Sequence, residues 1–146
     1  AVILALTSNS SSSDFETLNI SGSEVPLYSE VIRKSMEWGS IDNTMFVCGA
    51  TKAEKLTQIR EICPDHFLLV PGVGAQGGSV EQVSLYGMNS KCGLLINASR
   101  SVIFAYKDKK TGDNTGLNFA KDAADAASTL ASEMKCALIR RGVILQ

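Results

Sequence analysis

Short apolar runs alternate with stretches of helical periodicity along this chain. Residues 2–7 (VILALT), 45–49 (MFVCG), 66–70 (HFLLV) and 93–97 (GLLIN) are nearly continuous in apolar side chains, the pattern of strands buried on both faces. Between them apolar positions recur every three or four residues. Residues 26–38, with Val31, Ile32, Met36 and Trp38, follow Pro26 as a first-turn residue, and 52–62 set Leu56, Ile59 and Ile62 on one face. Residues 79–87 and 117–139 predict two more helices. The last is alanine-rich, with Phe119, Ala123, Ala126, Ala127, Leu130 and Met134 at helical spacing, which reads as a packing face. The order βαβαβαβα predicts an α/β fold with a parallel sheet and right-handed crossovers. Two polar stretches, 8–24 (SNSSSSDFETLNISGSE) and 106–116 (YKDKKTGDNTG), are long for βα loops. Loops of that length usually act as lids or flexible segments.

The third strand runs into a turn suited to an anion. Gly72, Gly74, Gly77 and Gly78 crowd beside Pro71 within HFLLVPGVGAQGGSVEQV, residues 66–83. Glycine allows positive φ and brings backbone N–H groups close to a ligand. Ser79 can cap the helix that follows, whose first N–H groups and positive dipole end would face the same anion. Gln76 offers both amide donors and an acceptor. A tight connection with no ligand is the alternative.

Charge and cysteine content narrow the function. The 146 residues carry 14 basic and 15 acidic side chains, with no Lys/Arg block, so no nucleic-acid footprint is present. No apolar run approaches a membrane span, and no basic lead-in marks a secretory signal, so a cytoplasmic protein is expected. Cys48, Cys63, Cys92 and Cys136 lack any CxxC or paired histidine, which predicts buried free thiols and no metal site. His66, the one histidine, opens a strand at its amino end and reads as structural.

The polar residues after each strand form one set: Thr7, Ser8 and Asn9; Gly49, Ala50 and Thr51; the turn Pro71 to Ser79; and Asn97, Ala98, Ser99 and Arg100. Ligand-type residues at the carboxyl ends of four parallel strands predict half of a (β/α)8 TIM barrel, strands five to eight. A phosphate site after strands seven and eight is common in barrels, which suits a glycine turn after the third strand here and Arg100 after the fourth. A small open doubly wound sheet is the rival, although its phosphate turn normally follows the first strand. Ala1 enters a strand with no initiating Met or lead-in, so residues 1–146 are expected to be the carboxyl-terminal half of one barrel domain, the amino-terminal half missing.

TSN at residues 7–9, FLLVPGVGAQGG and GLLINASR together resemble the second half of orotidine 5′-phosphate decarboxylase, in the branch with TSN and INASR motifs. The resemblance covers essentially the whole chain. It implies a carboxy-lyase of pyrimidine biosynthesis that turns orotidine 5′-phosphate into uridine 5′-phosphate, without metal or organic cofactor, as a homodimer. It further implies that Ser8 hydrogen-bonds the pyrimidine ring, that Gln76 closes over the ligand to bridge phosphate and base, and that Arg100 with the Ser99 and Arg100 amides holds the 5′-phosphate. Pro71 would shape the pocket beside the ring. The family's chemistry uses a Lys and Asp network, written DxKxxD, on earlier strands, one Asp coming from the partner subunit. No catalytic residue is therefore expected in this chain. Asp108, Lys110 and Asp113 repeat that spacing, but they follow the INASR strand in a charged loop, the wrong position. A non-catalytic phosphate-binding module, or another phosphate-binding barrel lyase or isomerase, are the alternatives.

Overall fold

A computed structural model describes residues 1–74, 76–108 and 116–145. Four strands, β1 (Val2–Leu6), β2 (Met45–Cys48), β3 (Phe67–Pro71) and β4 (Leu94–Asn97), form one parallel sheet in the order β1-β2-β3-β4. Each strand pairs with the next in sequence, in the registers Leu4 to Val47, Val47 to Leu69 and Leu69 to Leu95. A doubly wound sheet must reverse direction at a switch point, and this sheet does not. Sequential winding is that of a (β/α)8 barrel, here through four strands.

Helices α1 (Leu27–Met36), α2 (Lys55–Ile62) and α3 (Val80–Gly87) fill the crossovers. Their apolar stripes meet one face of the sheet: Tyr28 and Ile32, Leu56 and Ile59, and Val80 and Val83 pack with Phe46, Cys48, Leu68 and Val70 in one buried cluster. The short α4 (Arg100–Ile103) and the long α5 (Phe119–Arg140) follow β4.

The strands are covered on one face, which corrects the two-sided burial expected of their apolar runs. The pleat sends Val2, Leu4, Phe67 and Leu95 to the other side, where Leu4 stays 61% and Leu95 50% exposed. That side is apolar yet open, because all three crossover helices lie on the opposite face. An eight-stranded barrel fills such an interior with layers of these residue types.

Other differences are local. Pro26 is the N-cap of α1, one residue outside the helix, and Trp38 lies beyond its end, 71% exposed. Gly39 then turns the chain so tightly that a β-carbon on it would sit 2.2 Å from Thr44 Oγ1. On α5 the buried and half-buried side runs through Asp122, Ala126, Leu130, Met134 and Ala137, while Phe119 and Ala127 face outward. Cys48 and Cys63 are buried as expected, Cys92 is half-buried, and Cys136 is exposed on α5. Burial pushes the Cys48 thiol up to about 12, with Cys63 nearby adding to it, and Cys63 up to about 11.

The serine-rich stretch is folded. Ser10–Asp14 form a 3₁₀ turn in which Ser12 is buried and accepts a hydrogen bond from Lys52. Glu16 reaches back to Thr7, and Ile20 N–H donates to Val25 at 2.9 Å. Of the second polar stretch, Ala105–Asp108 make a 3₁₀ turn, whereas Lys110 and Asp113 of the DxKxxD spacing lie outside the described residues.

Candidate functional site

At the carboxyl end of β3 the backbone closes on itself. Gly72, Gly74 and Gly77 take φ of +94°, +78° and +86°. Gly74 N–H donates to Gly78 O at 2.9 Å, Gly77 N–H to Gly74 O at 2.8 Å, and Gly78 N–H to Gly72 O at 3.2 Å. These three amides are thus engaged in holding the turn, so its geometry shapes a wall more than it donates to a ligand. Gly78 has φ in the ordinary range and is needed for space: a β-carbon there would lie 2.4 Å from Ala50 Cβ.

Two polar side chains meet over Gly72. A β-carbon on Gly72 would lie 2.6 Å from Gln76 Oε1 and 3.2 Å from Ser8 Oγ. Ser8 is wedged in from the end of β1, since a β-carbon on Gly49 would stand 2.2 Å from the same Oγ. That hydroxyl oxygen is buried and has no hydrogen-bond partner among the described residues. Buried polar atoms are normally satisfied, so this hydroxyl at the end of a strand is a candidate contact for a polar ligand atom.

Beside them Pro71, Gly72, Val73, Gln76, Asn97, Ala98, Ser99 and Arg100 line a cavity of about 160 Å³. Asn97 is placed opposite Pro71 by strand register, and its Oδ1 accepts from Ser99 Oγ at 3.2 Å. Ser99 stands at the N-cap position of α4 without a side-chain capping bond and Arg100 opens the helix, so its first amides lack helical acceptors. Arg100 is exposed, pairs with no carboxylate among the described residues, and is the sole charged group of the lining. An arginine fork beside free amides suits a phosphate. The volume falls below the roughly 300 Å³ at which small-molecule pockets begin, which fits a phosphate group rather than a whole nucleotide.

Ser79 does cap α3, accepting from Gln82 N–H at 3.4 Å. The helix, however, opens elsewhere than expected. Ser79, Val80 and Glu81, with Gly74, Gly78, Ser101 and Val102, line a second groove of about 990 Å³ against α5, and none of these residues lines the Arg100 cavity. Gly77 stands at the tip of the turn with nothing within 4 Å of the position a β-carbon would take. The sequence pattern also gave no notice of Gly49 as a point of close approach, nor of Glu16, whose S-x-x-E spacing from Ser13 is lost in a run of serines.

The amino-terminal end of the sheet carries structure. His66, just before β3, is 5% exposed, its ring 5.4 Å from that of Phe46, and neither nitrogen has a partner among the described residues. Burial lowers its pKa, the Arg60 charge adds to this, and Asp65 opposes it. The unfolded chain therefore binds the proton more readily, so stability is full above about pH 6.5 and is lost as pH falls through the depressed folded value. Urea midpoints at pH 7.5 and 5.5 should show this loss, and His66→Phe should flatten it; an equal pH slope in both proteins would exclude His66 as its source.

Among the described residues no group of three or more His, Cys, Asp and Glu side chains is placed to hold a metal ion, and no helix is long and apolar enough to cross a membrane.

Four sequentially wound βα units with a polar cavity at their carboxyl ends define half of a barrel of the (β/α)8 class. Comparison with known proteins narrows this. No protein-family model matches the chain. The orotidine 5′-phosphate decarboxylase of Porphyromonas gingivalis is 51% identical over 143 residues, 98% of this chain and 49% of that protein. That of Flavobacterium johnsoniae is 49% identical over 133 residues, 91% of this chain and 45% of the relative. Among solved structures, Leishmania donovani OMP decarboxylase superposes with a TM-score of 0.71 at 29% identity, covering 93% of this chain and 47% of that one. Leishmania donovani UMP synthase gives 0.64 at 29% identity, covering 87% and 27%. Orotidine 5′-phosphate decarboxylases are thus homologues of this chain at about 50% identity, and it spans about half the length of the curated relatives it matches.

Proposed function

We propose that this chain supplies the nucleotide-binding part of an orotidine 5′-phosphate decarboxylase, an enzyme that converts orotidine 5′-phosphate to uridine 5′-phosphate. The observation that carries the reading is the meeting of Ser8, Gln76 and the Arg100 cavity around Gly72. Arg100, Ser99 and the first amides of α4 hold the 5′-phosphate, and Gly72, Gly74, Gly77 and Gly78 shape the wall that Gln76 closes. Ser8 meets the pyrimidine ring, with Pro71 beside it. Residues 1–146 are then the carboxyl-terminal half of one barrel domain. The Lys and Asp network that expels CO₂ comes from the remaining strands, one Asp from the partner in a homodimer, and the enzyme works in the cytoplasm without metal or organic cofactor.

Binding to the distant phosphate contributes to catalysis by closing loops and ordering the reacting end. In the complete barrel, Arg100→Ala should weaken uridine 5′-phosphate binding by about 2 to 4 kcal/mol, as for loss of a charge-assisted contact. Calorimetric titration checks this, and unchanged affinity would remove Arg100 from the site. The activity itself is tested by CO₂ release from orotidine 5′-phosphate by the complete barrel; a folded barrel that releases none would refute the reading.

A further inference from the structure

We propose that Glu16 is a positioning residue for nucleotide recognition, acting through Thr7 to hold the Ser8 hydroxyl where the ring must meet it. The inference deepens the proposed function and rests on it. Regular pairing of β1 ends at Leu6, which stands opposite Cys48 and accepts from Gly49 N–H at 2.7 Å. Thr7 lies one residue past that support and Ser8 two. The next rung is supplied by a side chain: Glu16 Oε2 accepts from Thr7 N–H at 2.7 Å, and Glu16 Oε1 accepts from Thr7 Oγ1 at 2.9 Å. One half-buried carboxylate thus takes both donors of Thr7, a two-point hold stronger than neutral hydrogen bonds give.

Glu16 is itself fixed to the core. Its N–H donates to Ser12 O at 2.9 Å, and its carbonyl accepts from Tyr28 N–H at 2.9 Å. Tyr28 is buried in the first turn of α1, with its hydroxyl on Gln58 Oε1 at 3.1 Å. A rigid path therefore runs from α1 through Glu16 and Thr7 to Ser8, whose own hydroxyl holds nothing among the described residues. The ligand-facing oxygen stays unspent because a neighbouring carboxylate does the anchoring. Glutamine at 16 could accept one Thr7 donor through its carbonyl but would turn an NH₂ toward the other.

The test compares two ligands on the complete barrel, uridine 5′-phosphate and ribose 5-phosphate, the second lacking a ring. Glu16→Gln should weaken uridine 5′-phosphate about tenfold, the order expected for one lost hydrogen bond to a charged group, and leave ribose 5-phosphate within about twofold. In a Ser8→Ala background the same change should add almost nothing, since both act on one contact. Equal weakening of both ligands, or no weakening, overturns the positioning role while leaving the proposed function intact. Should the parent protein bind the two ligands equally, Ser8 does not read the ring, and both this inference and that part of the proposed function fall. If Glu16→Gln does not fold, Thr7→Val decides in its place: it removes the Oγ1 half of the hold and should move uridine 5′-phosphate alone, and an unchanged or ring-independent result overturns the inference.

Discussion

Residues 1–146 prepared on their own should neither persist as a compact monomer nor release CO₂ from orotidine 5′-phosphate above background. The structural ground is the uncovered side of the sheet, where Val2, Leu4, Phe67 and Leu95 are all exposed. Contiguous apolar surface of this kind is rare on stable monomers and drives association. Both outer strands, β1 and β4, also present unpaired backbone groups, a template for pairing with another chain. Chemistry should be absent for a separate reason, since the Lys and Asp network is expected on other strands of the barrel. Sedimentation velocity with thermal melting checks the first part, and a compact, cooperatively melting monomer would sink it. Turnover by the purified chain alone would refute the second and return attention to Asp108, Lys110 and Asp113.

Removing the Arg60 guanidinium should destabilise the protein strongly, about 3 to 5 kcal/mol for Arg60→Met, because several backbone carbonyls around this half-buried side chain lose their donor at once. Arg60 donates to five carbonyls: Gly87 at 2.6 Å, Cys63 at 3.2 Å, Pro64 at 3.3 Å, His66 at 2.6 Å and Gly93 at 2.7 Å. These acceptors belong to the ends of α2 and α3 and to the lead-ins of β3 and β4, so one side chain ties four elements at the amino-terminal end of the sheet. Methionine fills comparable space but leaves the inward carbonyls without donors, each costing about 1 to 3 kcal/mol where water cannot reach. Burial lowers the Arg60 pKa, with the neighbouring thiols and Asp65 opposing the shift, yet guanidinium remains charged at any working pH. Arg60→Lys should rescue little, because an ammonium has three donors on one point and cannot span the fork. Urea unfolding of the complete barrel measures both variants, and a loss under 1 kcal/mol for Arg60→Met would contradict this account. Gly93 belongs to the same arrangement, since a β-carbon there would lie 2.7 Å from Arg60 Nη2.

The elements were legible because the strands are short apolar runs and the helices keep their period. Phe67–Pro71 and Val80–Gly87 each fall within one residue of the limits that HFLLV and 79–87 implied. Sidedness was not legible. A run such as VILAL carries apolar residues on both faces, and nothing within it tells a face covered by helices from one that awaits cover. The site divides in the same way. Pro71, Gly72, Gln76, Ser99 and Arg100 line one cavity, as expected from their places after β3 and β4. Where the α3 start points, and which glycine amides the turn keeps for itself, depend on tertiary placement of α5 and on positive-φ closure. Composition encodes neither. No motif in the sequence singles out Arg60 or Glu16, and only the folded chain places the Arg60 partners Gly87 and Gly93, 27 and 33 residues away, within reach.

The unbroken strand order has a consequence for how the chain acquires its shape. Within these four strands each of β2, β3 and β4 pairs with the strand made immediately before it, so none of these three pairings waits for a distant mate. When β2 appears β1 is already there, and when β4 appears its seat beside β3 exists. Loop closure stays within a single crossover, which keeps its entropic cost low and favours fast, stepwise growth of the sheet. The growing edge is at each stage the docking site for the next unit, and an interruption leaves that edge bare.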